Sequence, residues 1–242
     1  LLDPLPLRSP GYRAMNTLWP RSRHLRNPRL LRRAVAIVDA AANVFAERGY
    51  HGTSTQAIAD VLGLRQASLY YYFPSKEAAL ALVCERGVDG FVETAEAILA
   101  GAGTPVDKLT ALIAAHLAPN ASKRDYVKVF INERRYLPDA SRHRIGRKSR
   151  RIERCFEEVI RAGIADGSMR EGADVRLTML AVLGMLNSVI NWRATDQDAG
   201  MARVATELSQ LVVAGLMKPL VKPLAKSLAK SLARPAPARK RI

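Results

Sequence analysis

From Leu30 onward apolar side chains recur at helical spacing. Ala34, Ile37, Val38, Ala41, Val44 and Phe45 follow an i, i+3, i+4 rhythm that lays one stripe along one face of a helix. Gly49, directly after Arg48, supplies the stop. Thr53-Ser54-Thr55-Gln56 reads as a Thr-x-x-Gln capping box ahead of the apolar run Ile58, Ala59, Val61 and Leu62, and Gly63 ends that short helix. A second short helix is expected from about Gln66 to Tyr72. Pro74-Ser75-Lys76-Glu77 then opens a longer one, with Ser75 as N-cap, expected to run unbroken to about Leu99 and to stop at Gly101 and Gly103. Beyond Pro105 the pattern predicts helices at about 105–117, 121–137, 139–165, 174–193 and 198–217, punctuated by Pro119, Pro138, Gly167 and Gly172. No segment sustains a period of two with β-branched residues, so the expected fold class is all-α.

Charge refines this picture. The 242 residues carry 38 Lys and Arg against 22 Asp and Glu, a formal net charge of +16. Residues 1–33 hold eight Arg against Asp3 alone, and residues 218–242 hold eight basic residues and no acid. The stretch between them is nearly neutral, so the excess belongs to two extensions, and a polyanionic partner is implied. The expected organisation is a basic mobile arm at 1–28 and a DNA-binding unit at 29–74. A larger helical unit follows at 75–217, then a basic low-complexity tail at 218–242. Met15 is a candidate start. Cys84 and Cys155 lie far apart, with no Cys-x-x-Cys and no Cys/His cluster, which argues against a zinc site or a disulfide framework and fits a reducing cytoplasm. No apolar run reads as a signal peptide or a membrane span.

Two short helices around a Gly63 turn make a helix-turn-helix, whose second helix enters a major groove while the first crosses the backbone. Arg65, Gln66, Ala67 and Ser68 put groups suited to base edges at the start of the second helix, and Tyr70, Tyr71 and Tyr72 put phosphate-binding hydroxyls at its rim. Lys76 stands in the first turn of its helix, where the macrodipole disfavours a cation; a phosphate there would reverse the sign, and a solvated surface lysine is the plainer alternative.

The run from Ile37 to Leu80 contains Val44-Phe45-Ala46-Glu47-Arg48-Gly49-Tyr50-His51-Gly52-Thr53-Ser54, Gly63-Leu64, and Ser68-Leu69-Tyr70-Tyr71-Tyr72-Phe73-Pro74-Ser75-Lys76-Glu77. It closely resembles the DNA-binding domain of the tetracycline-repressor (TetR) family. The resemblance implies a homodimeric repressor in the bacterial cytosol, bound to a pseudo-palindromic operator in double-stranded DNA, whose C-terminal domain takes a small effector. By that match Thr53, Ser54, Thr55 and Gln56 lie near phosphates, Arg65, Gln66, Ala67 and Ser68 face bases, and Tyr70, Tyr72 and Lys76 hold phosphates. Tyr71 is either partly buried or DNA-facing. Phe45, Ile58, Leu62, Leu69 and Phe73 are expected in the core. One departure is Arg65, where the family usually has a Ser or Thr cap.

In the larger unit no histidine pairs with Cys, Glu or His at ligand spacing, and no glycine-rich phosphate loop appears, so a helical enzyme is the weakest reading and no cofactor is expected. Leu177 to Trp192 carries no charged residue, and the next helix offers a second apolar face. Leu180, Leu183, Val189, Leu208, Leu211 and Val212 are the expected dimer interface, in a four-helix bundle across a two-fold axis. Asn132-Glu133-Arg134-Arg135-Tyr136, the turn Gly163 to Arg170, and Gly184-Met185-Leu186-Asn187 with Asn191-Trp192 are similar to acyl-CoA-responsive members of the family. That similarity implies an apolar tunnel with a basic mouth, and Arg134, Arg135, Arg142, Arg147, Asn187 and Trp192 as effector contacts. A solvated helix face serves the basic run 142–151 equally well, and simple packing is the alternative for Trp192. The helix 75–99 is the expected lever, about 37 Å long at 1.5 Å per residue. For the tails alone, sequence-tolerant DNA compaction and a basic amphipathic helix on an anionic membrane are the competing readings.

Overall fold

The computed structural model describes residues 28–118, 123–192 and 200–217. The basic arm, Met15 and the tail fall outside them, and so do the readings that rest on those segments. Ten α-helices are found among the described residues, with no strand: α1 (Pro28–Gly52), α2 (Thr55–Val61), α3 (Gln66–Leu69), α4 (Lys76–Val88), α5 (Phe91–Ala100), α6 (Pro105–Leu117), α7 (Arg124–Glu133), α8 (Asp139–Ala165), α9 (Val175–Ser188) and α10 (Met201–Leu216). Single 3-10 turns follow α7 (Arg134–Tyr136) and α9 (Val189–Asn191).

Local sequence explains most boundaries. The regular turns of α1 end at Gly49, whose φ of 67° lies in the left-handed region, and one further turn follows. Ser75 caps α4 by accepting the Ala78 amide, and Thr104 and Asp107 form a reciprocal capping box on α6 behind Pro105. The cap of α2 differs from expectation. Ser54, not Thr53, accepts the Ala57 amide at 3.0 Å. Thr53 is buried, and its hydroxyl donates to the Gly49 carbonyl at 2.7 Å.

The expected long helix over 75–99 is two helices. Gly90 adopts φ 84°, a conformation that costs an L side chain about 1–2 kcal/mol, and the chain turns there between α4 and α5. The apolar periodicity reads through this break, although α4 packs into one core and Ala95 of α5 into another. With 13 residues, α4 is about 20 Å long, roughly half the lever the unbroken helix would have made.

Apolar packing divides into two cores. The first holds Ile37, Phe45, Ile58, Leu69, Phe73, Leu80 and Val83, and it also takes in Tyr126, Val129, Leu137 and Ile145. Helix α7 and the start of α8 therefore complete the core of the N-terminal unit, across the sequence division at 74. The second core gathers Leu109, Ile113, Phe156, Ile160, Met179, Leu186, Val204 and Val212. Helix α8 runs through both, from Ile145 in the first to Cys155–Ile160 in the second. Each buried Leu, Ile or Phe contributes about 1.5–3 kcal/mol relative to exposure.

The expected dimer residues separate by depth. Val189 and Val212 are buried within the chain's own core, which removes them from any contact surface. Leu183 and Leu208 are half-buried against that core. Leu180 (47% exposed) and Leu211 (63%) face outward, joined by Leu177 (65%), which the sequence reading left out.

Candidate nucleic-acid interface and ligand cavity

Helices α2 and α3 present one polar face. Ser54, Gln56, Arg65, Ala67, Ser68, Tyr70 and Tyr71 are exposed, and Thr55 and Gln66 are half-buried between the two helices. The Gln66 amide donates to Thr55 Oγ1 at 2.6 Å, which fixes the side chain that leads α3 against the helix before it. Gln56 reaches along its own helix to Asp60 at 2.6 Å. Arg65 is the N-cap of α3 and makes no side-chain cap bond. The departure from Ser or Thr thus leaves a cation at the head of this helix and its first amides without a side-chain partner there.

Three expected phosphate contacts are differently employed. Thr53 is turned inward, as above. Tyr72 is 8% exposed and packs in the first core, whereas Tyr71 is 62% exposed. The Lys76 ammonium donates to the carbonyls of Tyr50 and Thr53, each at 2.9 Å, and sits 4.2 Å from the centre of the Tyr50 ring. The cation that looked misplaced at the head of α4 satisfies the carbonyl end of α1, where the macrodipole favours positive charge.

Tyr50 ties this corner to the rest of the molecule. Its hydroxyl donates to Glu77. Burial, then Glu77, pushes the phenol up to about 12, and the same hydrogen bond holds the Glu77 carboxyl below its ordinary range. Its amide donates to Glu133 Oε2 at 3.0 Å, and its ring stacks on Tyr136 with centroids 4.9 Å apart. Glu133, at the end of α7, and Tyr136, in the 3-10 turn that follows, so hold the turn that positions α2.

The basic run of α8 has two faces. Arg144 pairs with Glu85 at 2.9 Å, Lys148 with Asp89 at 2.8 Å, and Arg151 with Glu96 at 2.7 Å. Glu85 is buried, so its two cations, Arg144 and Lys148, compensate a charge that could not stand there alone. Burial raises the Asp89 carboxyl pKa, and Lys148 opposes that shift. Lys123 donates to the Asp89 carbonyl at 2.8 Å. A belt of charge thereby clamps the α4–α5 break to α8.

Two cavities adjoin this frame. One of about 360 Å³ opens beside the break, between α5, α6 and α8, and is walled by Gly90, Phe91, Leu112, His116, Ile152 and Phe156. The other, an apolar groove of about 660 Å³, lies between α6 and α10 along Val106, Ala114, Met201, Ala205 and Val213. Of the expected effector contacts, Asn187 alone reaches the first cavity, through a 3.0 Å hydrogen bond to His116. Arg134 lies over the Phe130 ring, Arg135 over Tyr136, and Arg142 pairs with Asp139 at the surface. Arg147 and Trp192 are exposed and line neither cavity. The walls of this cavity come mainly from α5, α6 and α8, and the five basic and aromatic residues named above lie outside them. The sequence signal for it was a single polar ring, His116, in an otherwise apolar stretch of helix. Among the described residues no group of three or more His, Cys, Asp or Glu could hold a metal ion, and no helix is long and apolar enough to cross a membrane.

Comparison with known proteins matches residues 37–83 to the family described as bacterial regulatory proteins, tetR family, and residues 102–216 to the tetracyclin repressor-like C-terminal domain. The fatty acid metabolism regulator protein of Bacillus subtilis is 28% identical over 181 residues, covering 74% of this chain and 93% of that protein. The HTH-type transcriptional repressor KstR2 of Mycolicibacterium smegmatis is 25% identical over 181 residues, covering 74% and 88%. Among solved structures, the transcriptional regulator FadR from Bacillus subtilis in complex with stearoyl-CoA superimposes with a TM-score of 0.60 at 28% identity, covering 75% of this chain and 98% of that one.

Proposed function

The chain belongs to the TetR family of bacterial regulatory proteins, DNA-binding transcriptional regulators, and from that premise we propose a homodimeric repressor released from its operator by an acyl-CoA or a related apolar effector. Ser54, Thr55 and Gln56 contact phosphates at the head of α2. Arg65, Gln66, Ala67 and Ser68 read base edges, and Tyr70 and Tyr71 hold the backbone at the rim. Leu177, Leu180 and Leu211 meet their counterparts across a two-fold axis. That symmetry sets two α3 helices about 10 bp apart, or a multiple of it, on a pseudo-palindromic operator.

The observation that carries this reading is the position of the smaller cavity. It adjoins the Asp89–Gly90 break, where α4 ends, and α4 begins at Lys76, which holds the turn ahead of α2. A ligand wedged between α5, α6 and α8 bears on one end of α4 while DNA bears on the other. The apolar wall suits an acyl or ring body, and the volume falls within the range of small-molecule sites. The relative bound to stearoyl-CoA supports the effector class. The ligand shifts DNA affinity only by its differential affinity for the two arrangements. The reading is tested by anisotropy of a labelled operator while acyl-CoAs of increasing chain length are added. Release by at least one of them, with retention by CoA alone, is expected. Retention by all of them would overturn the effector assignment.

A further inference from the structure

His116 is set into the cavity wall between the rings of Phe91 and Phe156, with centroids 5.8 and 6.3 Å away. Its Nε2 lies 3.0 Å from Asn187 Oδ1. An amide oxygen only accepts, so Nε2 carries the proton. Burial holds the imidazole pKa below its ordinary value, and the ring is neutral near pH 7. A neutral ring protonated at Nε2 has its lone pair at Nδ1, and among the described residues Nδ1 has no hydrogen-bond partner.

Most of the other polar groups of the cavity are engaged elsewhere. The Thr94 hydroxyl donates to the Gly90 carbonyl at 2.8 Å, Lys123 donates to the Asp89 carbonyl, and Asp89 Oδ1 takes the Lys148 ammonium, while Asp89 Oδ2 has no hydrogen-bond partner but is itself buried. The rest of the lining is largely apolar, through Phe91, Leu112, Ile152 and Phe156. A ligand here gives up water and regains a hydrogen bond only where a protein group is free to make one.

Resting on the reading of this cavity as the effector site, we propose that His116 Nδ1 accepts a hydrogen bond from the effector, so that the preferred ligand is an apolar acyl chain or ring carrying a hydroxyl. Asn187 is the positioning residue, because its oxygen sets the tautomer. A carbonyl at the same place on the ligand would set two lone pairs against each other, so the site favours the hydroxylated form over the oxidised one as well as over the unsubstituted one.

Calorimetric titration of the full chain with octanoyl-CoA and with its singly hydroxylated and singly oxo-substituted forms tests this. At least one hydroxylated form should bind roughly tenfold more tightly than octanoyl-CoA, the loss of one hydrogen bond to a fixed acceptor being of that order. The matching oxo form should show no gain. His116→Phe should erase the advantage of the hydroxylated form over octanoyl-CoA, and Asn187→Ala should reduce it. Leu112→Trp, which fills the cavity, should abolish binding of all forms, with circular dichroism as the check on folding. If octanoyl-CoA binds, Leu112→Trp blocks it and no hydroxylated form gains, the donor-reading role is overturned and the cavity assignment stands. If octanoyl-CoA binds equally to a folded Leu112→Trp, the cavity assignment falls and this inference with it. A hydroxyl advantage that survives in His116→Phe also overturns it.

Discussion

Lys76 donates its ammonium to the carbonyl of Tyr50 at 2.9 Å, so the first residue of α4 closes the last turn of α1. The same nitrogen serves the Thr53 carbonyl. Hydrogen bonds to a charged donor contribute about 1.5–3 kcal/mol each in favourable settings. Lys76→Met, which keeps the stem and removes the donor, should lower the melting temperature by about 4–8 °C with no DNA present. Operator and random DNA should then lose affinity together, because the turn ahead of α2 is loosened. An unchanged melting curve would return Lys76 to a purely phosphate-binding role.

Gln66 is anchored on Thr55, and that anchorage makes it a base reader of fixed direction. Gln66→Ala should cost about 1–3 kcal/mol on the preferred operator and flatten the preference at one base pair in each half-site. Thr55→Val should blur the preference at the same base pair more weakly. Affinities across a panel of single-base operator variants decide this; a uniform loss across the panel would make Gln66 a backbone contact.

Leu180 and Leu211 point outward while Val189 and Val212 are enclosed. A Leu180→Asp, Leu211→Asp double variant should therefore sediment as a folded monomer. Val212→Asp should instead unfold, because it buries an unpaired charge. A folded dimer in the double variant would move the two-fold interface to another face.

His116 gives stability a pH dependence of known sign. Its folded pKa is depressed, so as pH falls below about 6.5 the unfolded chain takes up a proton that the folded chain resists. Stability is full above that point and declines below it, and His116→Phe should flatten the decline. Glu77, also depressed, acts in the lower carboxylate window and should survive that substitution as a separate acid loss. Thermal denaturation between pH 7 and about 3 separates the two.

Glu133 accepts the Tyr50 amide and so joins the end of α7 to the DNA-binding corner. In the wild type the operator should weaken effector binding by the same factor by which effector weakens operator binding. Glu133→Ala should reduce that shared coupling by about 0.5–2 kcal/mol while leaving effector affinity in the absence of DNA nearly unchanged. Calorimetry with and without operator measures both legs; intact coupling in the variant would place the route elsewhere.

The helical periodicity, the helix-turn-helix and the outward polar set Ser54, Gln56, Arg65 and Ser68 were all legible along the chain. Each depends on neighbours within a few residues, where spacing, caps and Gly63 determine the outcome. The break at Gly90 was not legible, since a left-handed glycine inside an apolar rhythm looks the same as a helical one until packing selects it. Nor were the inward turns of Thr53 and Tyr72, the grip of Lys76 on Tyr50, or the burial of Val189 and Val212. Each of these depends on which distant surface arrives: the end of α1 over α4, α7 over both, and α6 and α8 under α9 and α10. Local sequence determined which residues were polar or apolar and how they repeat. Only the tertiary arrangement decided which polar atoms find one another across 26 or 83 residues of chain, because a hydrogen bond is decided by distance in space and sequence separation does not encode it.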